Sequence, residues 1–299
     1  MSGTGHILQS LVVNAAIAAG KGVAAGITGS GAMLAETLHS AADCGNQLLL
    51  LLGVKRSQKA PDERHPLGYG RVLYFWSFMV ALLLFSGGGV FSVYEGVHKV
   101  LHPEPLEKVW LGLGILGFSL LLEGGATLSN FREIGRRRGD ASLVRYLRET
   151  KDSDLVVVFG ENLAATVGLA FAIAALCLAH FSGNPRWDGV GSIVIGIVLI
   201  LVAIFLATEI KSLLIGEAAD PRISREAHEA AKAQPDTEAV LWMISVQQGP
   251  GEVMVAMKIR FAPELDTRRL AVAIDDYEAE LRKRCPEVRW LFVEPALEP

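Results

Sequence analysis

Residues 72–94 run for 23 positions without an Asp, Glu, Lys or Arg, and residues 189–208 run for another 20. A bilayer core about 30 Å thick is crossed by about 20 apolar residues in a helix. Inside it only helices and closed barrels satisfy their own backbone hydrogen bonds. Such runs commit the chain to a membrane before any other feature is read. Four segments with a few interruptions join them: 7–27 with Lys21, 32–54 with Glu36 and Asp43, 109–131 with Glu123, and 155–180 with Glu161. With flanking residues included, the two strongest cover 72–99 and 189–213. The expected fold is an all-α six-helix transmembrane bundle over residues 1–216, followed by a small α+β domain over 217–299.

Charge divides the chain at the same place. Residues 1–216 hold 17 Lys+Arg against 16 Asp+Glu, and residues 217–299 hold 11 against 16. An acidic tail without a clustered basic face excludes a nucleic-acid partner. The cations gather instead between spans. Lys55, Arg56, Lys59, Arg64 and Arg71 follow the second span, and Arg132, Arg136, Arg137, Arg138, Arg145, Arg148 and Lys151 follow the fourth. On the other side stand Lys99, Lys108 and Arg186. Basic loops stay in the cytoplasm, so both termini are expected there. The expected setting is multi-pass in a bacterial inner membrane. No basic stretch precedes the first span, which reads as a retained helix rather than a signal peptide.

The tail changes period. Helical patterning at 224–233 gives way to strand-like runs at 239–246 and 252–261, joined by a turn at Gly249, Pro250 and Gly251. A second helical stretch, 265–284, precedes a third strand-like run, 288–293. The order α-β-β-α-β predicts a two-layer, ferredoxin-like cytoplasmic domain.

A charge at the centre of an inserted helix costs on the order of 2.5–3.5 kcal/mol, so each one calls for a reason. In the second span Glu36, His39, Asp43 and Asn46 follow at spacings of three, four and three, which lines them along one helix face. His39 and Asp43, one turn apart, can hold one ion between an imidazole nitrogen and a carboxylate oxygen, donors suited to Zn²⁺ and similar divalent ions. Two ligands make half a tetrahedral site. The fifth span offers Glu161 with Asn162, and the fourth offers Glu123 as a pathway group or extra ligand, as does Glu36 in the second. The competing reading is a plain interhelical hydrogen bond. Asp188 opens the sixth span as a cap.

The glycines at 20–31, 87–89, 112–117 and 191–196 suit close helix packing. None forms a phosphate loop, so no nucleotide is implied. Cys44, Cys177 and Cys285 stand apart and form no zinc knuckle. The chain also lacks H-E-x-x-H and G-x-S-x-G, which leaves a hydrolase without a nucleophile arrangement.

Four stretches together resemble the cation diffusion facilitator family: GAMLAETLHSAADCGNQLLLLLG at 31–53, PDERHPLGYG at 61–70, GNPRWDGVG at 183–191, and the α-β-β-α-β tail. LEGGATL at 122–128 and FGEN at 159–162 are similar to the zinc transporter branch whose human member is mitochondrial. The resemblance implies a secondary active transporter rather than an enzyme: a homodimer in the lipid bilayer, paired through its tail domains, that exports a divalent metal ion in exchange for H⁺. Zn²⁺ is the expected ion, with Mn²⁺, Fe²⁺ and Co²⁺ as alternatives. It implies two ligands from the second span, matched by His39 and Asp43, and two from the fifth, where Glu161 and Ala165 stand; Asn162 is the substitute for the missing one. It also implies a weak loop site at Asp62 and His65, whose third position is Tyr69. In the tail the family's strand positions read Trp242, Met257 and Phe292, and His228 is the sole histidine from 217 onward, which favours dimerisation over metal sensing. The alternative function is a membrane scaffold or regulatory subunit with a degenerate metal site.

Overall fold

The structure, a computed structural model, describes residues 3–139, 142–150 and 153–298. Lys151, counted above among the loop cations, lies outside them. The chain sorts into two units, one of residues 1–54, 75–148 and 153–211, the other of residues 55–74, 149–152 and 212–299.

The first unit is helical. Its elements are α1 (Gly3–Thr28), α2 (Gly31–Ser57), α3 (Val72–Leu83), a π-helical turn (Leu84–Val90), α4 (Phe91–Leu101), α5 (Val109–Arg137), α6 (Leu143–Glu149), α7 (Ser153–Ser182) and α8 (Arg186–Ile215). Among the described residues four stretches are long and apolar enough to cross a membrane: Val72–Leu101, Val109–Arg137, Val158–Ser182 and Arg186–Ile215. The helices α1 and α2 reach 26 and 27 residues, a spanning length at about 1.5 Å per residue. Along α2, however, the polar stripe dilutes the apolar run.

The expected third span is continuous but not uniform. Its π-helical turn contains Gly87, Gly88 and Gly89, and glycine weakens the α-helical ladder enough to admit a wider turn. Beyond it the chain meets α8 backbone to backbone. A Cβ on Gly96 would lie 2.6 Å from the Gly189 carbonyl, and one on Gly196 would lie 2.7 Å from the Gly89 carbonyl. The relation is reciprocal, since a Cβ on Gly189 would stand 2.8 Å from the Gly96 carbonyl. Two antiparallel helices thus touch at glycines two turns apart. Between those glycines the Ser192 hydroxyl donates to the Ser92 carbonyl at 3.0 Å.

Asp188 does cap a helix, but not the one it opens. Its carboxylate accepts from the Ser30 hydroxyl and the Gly31 N–H, and from the Ala32 N–H at 3.4 Å. These are orphan donors at the start of α2, so α8 supplies the N-terminal cap of α2. Lys99 donates to the Gly29 carbonyl beside it.

In the second unit α9 (Pro221–Ala233) and α10 (Thr267–Arg284) cover one face of a sheet of β1 (Thr237–Gly249), β2 (Glu252–Phe261) and β3 (Val288–Pro295). Asp220 and Asp266 cap the two helices by accepting from the N–H groups of Arg222 and Arg269. Central β2 pairs antiparallel with β1 and parallel with β3. Val253, Val255, Met257, Ile259 and Phe261 alternate along β2 into a core with Ile223, Ala227, Tyr277, Leu281 and Cys285. Tyr277 donates its hydroxyl to the Ala227 carbonyl, joining α10 to α9. Burial pushes both the Tyr277 phenol and the Cys285 thiol up from their ordinary ranges. The α-β-β-α-β order is as expected; the ferredoxin-like comparison needs correction. A ferredoxin-like sheet splits its β-α-β units with an intervening strand, whereas here β2 and β3 are direct neighbours in a sheet of three.

The loop after α2 belongs to this second unit. A Cβ on Gly70 would lie 2.7 Å from the Gln248 carbonyl and 3.0 Å from Gly249 Cα, so the loop rests on the β1–β2 turn.

Candidate metal centre

The polar stripe of α2 faces inward. Glu36 and His39 are fully buried, Asn46 is 2% exposed, and the Asp43 side chain is 20% exposed. Two features of the neighbouring helices admit the stripe. Gly22 on α1 lets Thr37 approach, and Gly168 on α7 leaves the space that the Glu36 carboxylate fills. On α5, Thr127 donates to the Asn162 carbonyl at 2.8 Å and meets the Thr166 hydroxyl at 2.7 Å, which fixes α7 against α5 beside the stripe.

A small cavity of about 40 Å³ opens among these helices, lined by Asn14 of α1, Ser40 and Asp43 of α2, Glu123 of α5, and Asn162 and Ala165 of α7. Three residues singled out by sequence, Asp43, Glu123 and Asn162, therefore share one wall system. His39 sits one turn from Asp43, with its Nδ1 3.8 Å from Asp43 Oδ1. Glu161 lies within electrostatic reach of Asp43. Both His39 nitrogens, Asp43 Oδ1 and Glu161 Oε1 are buried without a hydrogen-bond partner. Buried polar atoms are nearly always satisfied, so these four unpartnered atoms stand out; of the three residues, Asp43 lines the cavity itself. Ala165 stands where the family resemblance puts a fourth ligand, and it gives the cavity an apolar wall instead. Among the described residues no three of His, Cys, Asp and Glu converge to ligating geometry.

Sequence reading counted Lys21 as an interruption and missed its role. Its ammonium is fully buried and donates to Glu123 Oε1 at 2.9 Å, Ser40 Oγ at 2.9 Å and Glu36 Oε2 at 3.3 Å. Glu36 and Glu123 are thus both bound to the lysine, and Glu123 also lines the cavity. The signal was available, since a lone cation in an apolar span needs an acid at the same depth.

The loop residues Asp62 and His65 do come together, but around a different partner. Asp62 Oδ2 accepts from Lys59 Nζ at 2.8 Å and from the Tyr69 hydroxyl at 2.6 Å, while Oδ1 accepts from the His65 N–H at 2.9 Å. The Lys59 bond, with Tyr69 second, holds the Asp62 carboxyl well below the usual carboxylate range. In the tail, His228 is exposed and its Nδ1 lies 2.7 Å from the Ser224 carbonyl of its own helix. Met257 is buried, whereas Trp242 and Phe292 are 45% and 55% exposed.

Long apolar helices surround a small cavity lined by acids and amides. Residues 7–215 match the cation efflux transmembrane domain; the chain belongs to the cation efflux family, in its mitochondrial-type branch. It is 29% identical over 306 residues to the mitochondrial proton-coupled zinc antiporter SLC30A9 of Homo sapiens, covering 89% of this chain and 54% of that protein. It is 32% identical over 236 residues to metal tolerance protein C4 of Arabidopsis thaliana, covering 78% of this chain and 50% of that protein. A more distant relative, magnetosome protein MamB of Magnetospira sp., is 24% identical over 218 residues, covering 71% of this chain and 67% of that protein. The chain spans about half the length of the first two. Their eukaryotic origin, and the mitochondrial designation of the human protein, overturn the expectation of a bacterial inner membrane.

Proposed function

We propose that this protein exchanges a divalent transition-metal ion, Zn²⁺ first among them, for protons by alternating access across a membrane. In this reading α1 and α2 complete a bundle of six spans, and the metal is exported from the side that holds both termini. His39, Asp43 and Glu161 bind the ion, with Asn162 in place of the absent fourth ligand at Ala165. Glu36 and Glu123 act as flanking charges. Metal and protons require the same lone pairs, so binding one releases the other and no separate proton site is needed. The observation that carries this reading is the set of unpartnered atoms on His39, Asp43 and Glu161 beside the cavity of Asp43, Glu123 and Asn162. The similarity to a human protein named as a proton-coupled zinc antiporter agrees with it. Pairing of tail domains in a homodimer agrees with the exposed apolar Trp242, Ile244 and Phe292 on the sheet face opposite α9 and α10.

The test is uptake of Zn²⁺, Mn²⁺, Fe²⁺ and Co²⁺ into proteoliposomes with an imposed pH gradient. Gradient-driven Zn²⁺ flux lost in Asp43→Ala is the expected result, and normal flux in that variant overturns the assignment. The rival reading, a scaffold with a degenerate site, draws on Ala165 in the cavity wall. It expects folded protein with no flux for any ion.

A further inference from the structure

A lysine ammonium offers three hydrogens, and all three of Lys21 are taken by Glu36, Ser40 and Glu123. One cation there faces two carboxylates, so the cluster retains acid in excess. Glu36 is fully buried and its Oε1 has no hydrogen-bond partner; Glu123 Oε2 is likewise buried and unpartnered. Two carboxylates and a hydroxyl are oxygen donors of the kind that hold a hard divalent cation. Here the cation is covalently attached and cannot leave. Ser40 and Glu123 also line the cavity of Asp43 and Asn162, so this oxygen set borders the space assigned to the transported ion.

Charge balance gives the arrangement its consequence. One divalent ion neutralises Asp43 and Glu161. Without Lys21, Glu36 and Glu123 would add two more negative charges in a low-dielectric interior, where uncompensated charge is strongly unfavourable. A second divalent ion would then meet that demand.

We propose that Lys21 is a tethered cation filling the Glu36, Ser40 and Glu123 site, which otherwise takes a second divalent ion, and that it thereby fixes the load at one ion per chain. This rests on the reading of the Asp43 cavity as the transport site. The test counts Zn²⁺ and Mn²⁺ bound per chain by elemental analysis, using the full chain in nanodiscs after equilibrium dialysis. Wild type is expected to bind one ion, lost in Asp43→Ala. Lys21→Met is expected to bind twice as many, with the added ion lost in Lys21→Met/Glu36→Gln but kept in Lys21→Met/Asp43→Ala. Lys21→Arg, which keeps the charge, stays at one. Folded Lys21→Met that binds no more than wild type overturns the proposal.

The two readings fail separately. Wild-type binding unaffected by Asp43→Ala removes the transport-site reading, while an added ion in Lys21→Met that depends on Glu36 upholds the tethered cation. Should Lys21→Met fold poorly, its thermal unfolding is followed with and without Mn²⁺. A rise in midpoint confined to this variant supports the second site, because an ion that binds only the folded state stabilises it; no rise overturns it.

Discussion

The polar cavity and the α4–α8 seam join helices by opposite means within one helical unit. At the seam side chains are missing, so that Gly96 and Gly189 bring two backbones into contact. Around the cavity long charged side chains fill the space, and Lys21 alone bridges α1, α2 and α5. Close backbone contact gives dispersion and a fixed register with nothing left over for a ligand. A charged bridge leaves spare oxygens, as on Glu36 and Glu123. Close backbone packing and buried charge therefore occupy different helix pairs, and damage to each should read out differently.

Breaking the charged side should produce the largest effect. Lys21→Ala in the ion-free protein leaves two buried carboxylates unbalanced and should lower stability by about 3–5 kcal/mol, measured by chemical unfolding in detergent. On the dry side, Gly96→Leu forces side chain into backbone and should cost about 1–3 kcal/mol or more. Gly114→Ala, with open space around it, should cost nothing; equal losses at the two glycines would erase the contrast. Asp188→Ala removes the cap of α2 from outside both regions and should cost about 1–3 kcal/mol for the stranded N–H groups, visible as a lower unfolding midpoint. Gly168→Ala sharpens the comparison, since its methyl group meets the flexible end of Glu36 rather than backbone. Zn²⁺ flux should fall while stability moves by less than about 1 kcal/mol.

The smallest effect belongs to the solvated counterpart of Lys21. Lys59 also sits on a carboxylate, Asp62, but in an exposed loop, where such pairs contribute little. Asp62 titrates below its unfolded value, so its favourable contribution holds at neutral pH and is lost as pH falls through the folded value. In Lys59→Met that loss should begin at a higher pH, followed by carboxyl NMR, with the unfolding midpoint at neutral pH unchanged.

What could be read from the sequence was periodic. The spacing of Glu36, His39, Asp43 and Asn46 placed them on one face, and the alternation of Val253, Val255, Met257 and Ile259 placed β2 over a core, because both patterns repeat within one element. Features that join distant segments were not legible. Lys21 meets Glu123 across 102 residues, and Asp188 reaches Ser30 across 158; no local period reports such a pairing. The π-helical turn at Leu84–Val90 left an apolar run unchanged, so the span looked uniform. Ala165 was legible as a departure, yet only the cavity shows that it forms a wall beside Asn162.

The contact between Gly70 and the β1–β2 turn also has a place in time. During synthesis Gly70 emerges 179 residues before Gly249, roughly 9–36 s earlier at about 5–20 residues per second. Throughout that interval the loop has no hairpin to rest on, and its shape depends on what lies within it: Lys59, Asp62, His65 and Tyr69, bonded to one another across eleven residues. Those internal bonds give the later-made β1–β2 hairpin a shaped surface to close on.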